Sequence, residues 1–281
     1  TVAIVTDSTS DLPLELAKNL GIEVVPLNVH FGTETFKDGV DLSSDDFFDK
    51  LIHGPILPRT SQPSVGEFVK IYEHVGGNSD GIVSIHISSK VSGTFNSAEQ
   101  ASKLAKTDCT IEVVDTYQGS MAVGLVAMAC AIASKKGMGL SDIAALARKD
   151  CKRTQCFVLL ETLEFLQKGG RIGKARAMLG SLLNIRPMVI VKDGEVHPLG
   201  RARTRSAGIR KLKETVDQFA PVDEIAIMYS TSASEAEILA VELESFLPEG
   251  KKPIIGRFGP VLGTYIGPEG LGVALMRAEQ A

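Results

Sequence analysis

From residue 2 to residue 114 the chain alternates short β-rich runs with helical patterns, and that alternation leaves few folds open. The strand-like runs are "VAIVT" (2–6), "IEVVPLNV" (22–29), "GIVSIHI" (81–87) and "TIEVV" (110–114). Helical patterns fill residues 13–20, 43–52, 64–76 and 93–106. Strands joined through helices pair in parallel, and the helices cover both faces of the sheet. The near-continuous apolar character of "GIVSIHI" fits a strand buried on both sides.

Beyond residue 155 the pattern changes. Strands are predicted at 156–161, 186–199, 224–229 and 252–258, and helices at 162–168, 174–183, 204–219 and 233–246. The segment 186–199 carries "DG" between two β-rich runs, a hairpin signal. The expected fold is α/β with two domains. Residues 1–155 form an α/β/α layer with a mostly parallel sheet, and residues 156–281 an α+β layer with a mixed or antiparallel sheet. A length of 281 residues suits two units of about 150 residues each.

Bulk chemistry removes several classes of function. The net charge is −4 with acids and bases intermixed, and the chain has no Trp and only 5% aromatic residues. Neither a basic patch nor a base-stacking platform results, so no nucleic-acid partner is expected. Cys109, Cys130, Cys151 and Cys156 form no CxxC and the five histidines are scattered, so neither a metal site nor a cofactor is expected. A reduced, cytoplasmic protein that opens directly on a strand without a signal peptide fits this usage. The uncharged stretch 116–134 approaches a membrane span in length. Its Ala, Gly and Ser content and its flanking Asp115 and Lys135 point instead to a helix packed on all sides, with no integral membrane association.

Catalytic signatures fail on position. "KGGRIGKA" (168–175) has Lys168 and Ala175 where a Walker A loop requires Gly and Ser/Thr, and no GxGxxG occurs. "GNSDG" (77–81) matches GxSxG but follows a helix and opens a strand, the reverse of a nucleophile elbow, so Ser79 is a turn residue.

What recurs is hydroxyl-rich sequence at junctions: "DSTSDLP" (7–13), "RTSQPS" (59–64) and "SSKVSGTFNSA" (88–98). In parallel α/β sheets ligands bind beyond the carboxyl ends of the strands. Helix N-termini there offer free N–H groups, and Ser and Thr add neutral donors, so an anion is the matching ligand. Helix capping accounts for some of these hydroxyls. Ser64 with Glu67 spells a capping box, Ser10 can cap a helix opening at Pro13, and Ser92 can act as a cap or turn residue. Gly93 leaves room for close approach of a bound group.

With "LETLEFLQKGGRIGKARAMLGSLLNIRPM" (160–188) and "GPVLGTYIGPEGLG" (259–272), these motifs resemble, in order and along nearly the whole chain, those of the DegV family of bacterial fatty-acid-binding proteins. The resemblance implies a two-domain protein that buries one long-chain fatty acid. It also implies a non-catalytic subunit, which presents the carboxylate to a separate fatty acid kinase catalytic subunit for conversion to an acyl phosphate. Thr60 and Ser92 match the family's carboxylate-binding positions, with Ser61, Gly93 and Tyr265 beside them. Arg171 and Arg203 match basic positions implicated in interaction with the kinase. Tyr265 stands where family members often carry His, and Glu269 replaces a motif Gly. A phenol donates a hydrogen bond to a carboxylate but cannot become cationic. The apolar lining is expected from "LETLEFL" and "AMLGSLL".

A second reading from the residues uses the same cradle in an enzyme acting on a small phosphorylated or carboxylated metabolite. Asp7, Asp115 or His86 would be its base, each with a structural role as the alternative. A purely structural interaction module explains neither the loop chemistry nor the size.

Overall fold

The structure, a computed structural model, describes residues 1–180 and 185–279. In the first part of the chain run β1 (Val2–Asp7), α1 (Leu14–Leu20), β2 (Ile22–Val25), β3 (Asn28–Phe31), β4 (Glu34–Lys37), α2 (Ser44–His53) and β5 (Arg59–Ser61). They are followed by α3 (Val65–Gly76), β6 (Gly81–His86), α4 (Thr94–Leu104), β7 (Thr110–Asp115), α5 (Met121–Lys135) and α6 (Leu140–Cys151). Then come β8 (Thr154–Leu159), α7 (Glu164–Lys168), β9 (Arg186–Lys192), β10 (Glu195–Ala202), α8 (Arg205–Phe219) and β11 (Val222–Tyr229). The chain closes with α9 (Ala233–Leu243), β12 (Ile254–Arg257), α10 (Pro260–Ile266) and β13 (Leu271–Arg277).

The first sheet has the order β2-β1-β6-β7 and is wholly parallel, with Ile4 opposite Ile22 on one side and Val83 on the other. The second is mixed, in the order β10-β9-β8-β13-β11-β12, with β12 parallel to β11 and the other pairs antiparallel. The two-domain α/β class read from the pattern is therefore the observed one. α3 and α4 cover one face of the first sheet, and α8 and α9 cover the outer face of the second. Between the sheets lies α5, touching β1 and β6 on one side and β8 and β13 on the other. Both sides of α5 are thus walled by strands, which is why residues 116–134 carry no charge. No helix among the described residues is long and apolar enough to cross a membrane.

Several local expectations need correction. The run 22–29 is two strands in different sheets. Pro26, which has no N–H to give a ladder, separates β2 from β3, and β3 joins a small antiparallel sheet of order β4-β3-β5. The stretch beginning at Arg59 is therefore an edge strand before it is a loop. The helix expected at 174–183 is a 3₁₀ helix over Gly173–Met178, opened by Gly173 at φ 53, and residues 181–184 lie outside the described residues. Ser10 does not cap α1. It ends a 3₁₀ turn, Ser8–Ser10, capped by Asp7, and Pro13 stands at the start of α1 with no side-chain cap. The "DG" hairpin is present: β9 and β10 join at Asp193 and Gly194, whose φ values of 51 and 80 suit the twist of a tight hairpin. Ser64 and Glu67 form the expected capping box, with Glu67 N–H donating to Ser64 Oγ at 3.2 Å and Ser64 N–H to Glu67 Oε2 at 2.8 Å.

Candidate functional site

A cavity opens where β5, the Ser92 turn, the residues before α5, the second sheet and α10 meet, and its unfilled space, counted out into the adjoining solvent, is about 970 Å³. One wall is the inner face of the second sheet, with Val158 on β8, Val189 and Val191 on β9, and Val196 on β10. α10 adds Val261, Leu262 and Ile266, and the α7 region adds Leu160 and Leu166. Only these last two come from the "LETLEFL" run expected to supply the lining. Met178 of "AMLGSLL" is buried in the core, and part of that run lies outside the described residues.

At one edge the wall turns polar. Pairing of β5 with β3 sets Thr60 opposite Val29, and Thr60 lines the cavity. Its hydroxyl is hydrogen-bonded to that of Tyr265 on α10. Two hydroxyls that share one hydrogen bond between them leave a second O–H proton to donate elsewhere. Ser61 also lines the cavity, but its Oγ is engaged by His30 Nε2 at 2.9 Å and Asn28 Nδ2 at 3.3 Å. Ser92 Oγ bonds Thr94 Oγ1 at 2.8 Å and accepts the Thr94 N–H at 3.3 Å. That is a turn at the start of α4, where no side chain caps the helix.

Gly93 serves a different purpose from the one expected. It does not line the cavity, and a Cβ there would stand 2.8 Å from Gln62 Nε2, so the group that approaches it is the Gln62 side chain. Gln62, part of the "RTSQPS" run and itself a lining residue, thereby packs against the Ser92 turn.

Among the described residues Arg171 is the single charged side chain in the lining. Its Nε donates to Val91 O at 3.2 Å and its Nη1 to Gly169 O at 3.0 Å, and its guanidinium lies 5.4 Å from the centre of the Tyr265 ring. Among the described residues no carboxylate pairs with it. A Cβ on Gly169 would come within 2.5 Å of the Tyr265 ring, so glycine is what lets the phenol sit there. Arg203 lies away from the cavity, exposed in the turn before α8. Glu269 is also outside it. It takes a left-handed φ of 61, a conformation that favours Gly, and its carboxylate accepts from Thr231 Oγ1 at 2.9 Å.

The start of α10 is held by buried acids. Asp11 Oδ1 accepts the Gly259 N–H at 2.8 Å, and its Oδ2 accepts from Ser120 Oγ at 2.6 Å. Burial pushes the Asp11 carboxyl well above the ordinary range, and burial likewise pushes Asp38 beside it up to about 7. Both acids face a second cavity on the other side of the α10 start.

The three candidate bases are engaged elsewhere, and none lines the ligand cavity. Asp7 and His86 are fully buried, with His86 Nδ1 2.8 Å from Asp7 Oδ2 and His86 Nε2 2.7 Å from Ser84 Oγ. Tyr72 Oη completes the chain by donating to Ser84 at 2.8 Å. Asp115 accepts backbone N–H groups from Ser89 and Tyr117 at the end of β7. No group of three or more His, Cys, Asp or Glu among the described residues could hold a metal.

The fold and site define a two-domain α/β protein built around an apolar cavity with a hydroxyl-lined edge and one cation. The chain belongs to the DegV family, whose model, described as "Uncharacterised protein, DegV family", matches residues 1–278. It is 36% identical over 280 residues to a DegV domain-containing protein of Halalkalibacterium halodurans, across 97% of each chain. Among solved structures, a DegV family protein from Thermus thermophilus, described by its fatty acid binding, superposes with a TM-score of 0.90 at 33% identity, covering 98% of this chain and 99% of that one. DegV of Bacillus subtilis, described as a fatty acid binding protein, superposes with a TM-score of 0.87 at 31% identity and the same coverage.

Proposed function

We propose that the protein binds one long-chain fatty acid in this cavity and presents its carboxylate to a partner fatty acid kinase. The observation that carries the reading is the lining itself, an apolar pocket with one cation, Arg171, beside the hydroxyls of Thr60, Ser92 and Tyr265. An amphiphile with a single anionic head is the ligand that such a wall matches. The fatty acid binding described for the Thermus and Bacillus relatives supports the same ligand.

Each buried methylene contributes about 0.8 kcal/mol, so a long acyl chain offers roughly 10 kcal/mol before the costs of association. Hydrogen bonds to the charged head contribute about 1.5–3 kcal/mol each, offset by carboxylate desolvation. The tail therefore supplies affinity while Thr60, Ser61, Ser92 and Tyr265 set the position of the head. In this reading residues 1–155 supply the carboxylate loops and residues 156–281 close over the chain. The kinase transfers a phosphoryl group to a carboxylate oxygen, and Arg171 and Arg203 meet the kinase from the protein surface. The protein contributes no base of its own, since Asp7, His86 and Asp115 are committed to structure. Four free cysteines fit a reduced, cytoplasmic setting. Acyl-phosphate formation in a mixture of this protein, a fatty acid kinase catalytic subunit, ATP and a fatty acid tests the proposal. Product that requires this protein supports it, and product formed equally without it contradicts it.

A further inference from the structure

The ligand cavity contains a polar station that a plain hydrocarbon chain does not satisfy. Gln118 lines the cavity, is only 7% exposed, and its Oε1 has no hydrogen-bond partner. Its backbone is fully engaged: the N–H donates to Thr116 Oγ1 at 3.1 Å and the carbonyl accepts from Ser88 N–H at 2.9 Å. The residues around it are held in uncommon backbone conformations, Tyr117 at φ 51 and Ser120 at φ 54. The segment that carries the side-chain amide is thus held in place, and the buried amide oxygen is left without a partner. Rotating the amide by a half turn exchanges oxygen and nitrogen but still leaves a polar atom unpaired.

The neighbouring lining hydroxyls do not complete it. Thr9 Oγ1 gives its proton to Asp7, and Ser120 Oγ gives its proton to Asp11 Oδ2 at 2.6 Å. What Thr9 and Ser120 still have to offer a ligand is lone pairs. This part of the wall is therefore acceptor-rich, and the group that matches it is an O–H. A buried polar atom facing alkyl carbon bears its full desolvation cost, whereas a hydroxyl removes it by donating to Oε1 or accepting from Nε2.

Building on the fatty-acid reading, we infer that the cavity selects acyl chains carrying a hydroxyl group at the position that meets Gln118. The ligand class is a long-chain hydroxy fatty acid, with Gln118 as its specificity-determining residue. A hydroxyl elsewhere on the chain enters the valine-lined wall unpaired and weakens binding.

The test is a competition titration, displacing a fluorescent long-chain fatty acid with octadecanoic acid and with a positional series of monohydroxyoctadecanoic acids. In the natural protein one narrow range of hydroxyl positions is expected to bind about tenfold more tightly than octadecanoic acid, with the other positions weaker. In Gln118→Leu and Gln118→Met that preference is expected to vanish while octadecanoic acid still binds. If octadecanoic acid binds but no hydroxylated isomer exceeds it, as when a bound water already serves Gln118, the inference is overturned and the fatty-acid reading stands. The same holds if both variants keep the natural positional preference. If no fatty acid displaces the probe, both fall.

Discussion

The hydroxyl of Thr60 is hydrogen-bonded to the hydroxyl of Tyr265, a residue 205 positions further along the chain. One belongs to a three-residue edge strand and the other to the short helix α10. Through this bond the two ends of the chain meet at the polar edge of the cavity. Tyr265→Phe keeps the ring beneath Arg171 and removes only the oxygen. We expect fatty-acid affinity to fall about 3- to 10-fold by competition titration, the loss of one hydrogen bond of about 1 kcal/mol. Unchanged affinity would remove Tyr265 from the head-group contacts.

Thr60 and Ser64 stand four residues apart but have separate roles. Ser64→Ala breaks the capping box of α3 and should lower unfolding free energy by about 1 kcal/mol with fatty-acid affinity preserved. Thr60→Ala should weaken fatty-acid binding with little change in stability. Urea denaturation and competition titration on the same two samples check both, and exchange of the two phenotypes would overturn the assignment.

Gly169→Ala tests how tightly the Tyr265 ring is seated. A Cβ there would lie 2.5 Å from ring carbons, so the phenol must move away from Thr60. Fatty-acid affinity should fall at least as far as in Tyr265→Phe, and adding Tyr265→Phe to Gly169→Ala should cost little more, because the same contact is already lost.

Asp38 makes stability depend on pH. Burial raises its carboxyl from an ordinary 3.8 to about 7, so between these values the folded protein keeps a proton that the unfolded chain has released. Stability therefore falls as pH rises from about 4 to about 7 and levels off above, with a slope of up to about 1.4 kcal/mol per pH unit. Asp38→Asn removes this dependence, so relative to the natural protein it should gain stability between pH 4.5 and pH 8. Parallel denaturation curves at the two pH values measure it, and an equal difference at both would contradict it.

Much of the fold was legible because its signals are local. The runs that became β1, β6 and β7, the "DG" hairpin and the Ser64 capping box each carry their pattern within a few residues. The three polar residues of β5 hold no periodicity and spell a loop in the sequence, and the strand character comes from pairing with β3. The "GPVLGTYIGPEGLG" motif (259–272) spans α10 but only Leu271 and Gly272 of β13, and its pattern marks neither element. These two elements take their form from contacts with β8, β11 and α7. The hydroxyls of Thr60, Ser92 and Tyr265 stood out by chemistry and by the family pattern. The apolar lining did not, since a valine facing a cavity and one facing a core are the same letter. Gln118 is silent in the sequence for a related reason. A lone glutamine ahead of an apolar helix gives no sign that its amide ends unpaired inside a cavity.

The central claim is that the cavity holds one fatty acid by its carboxylate. Native mass spectrometry of the purified protein, before and after addition of octadecanoic acid, tests it most directly. The account predicts one fatty acid per chain, with occupancy reduced in Thr60→Ala and Ser92→Ala. A ligand-free protein that takes up no added fatty acid would contradict it.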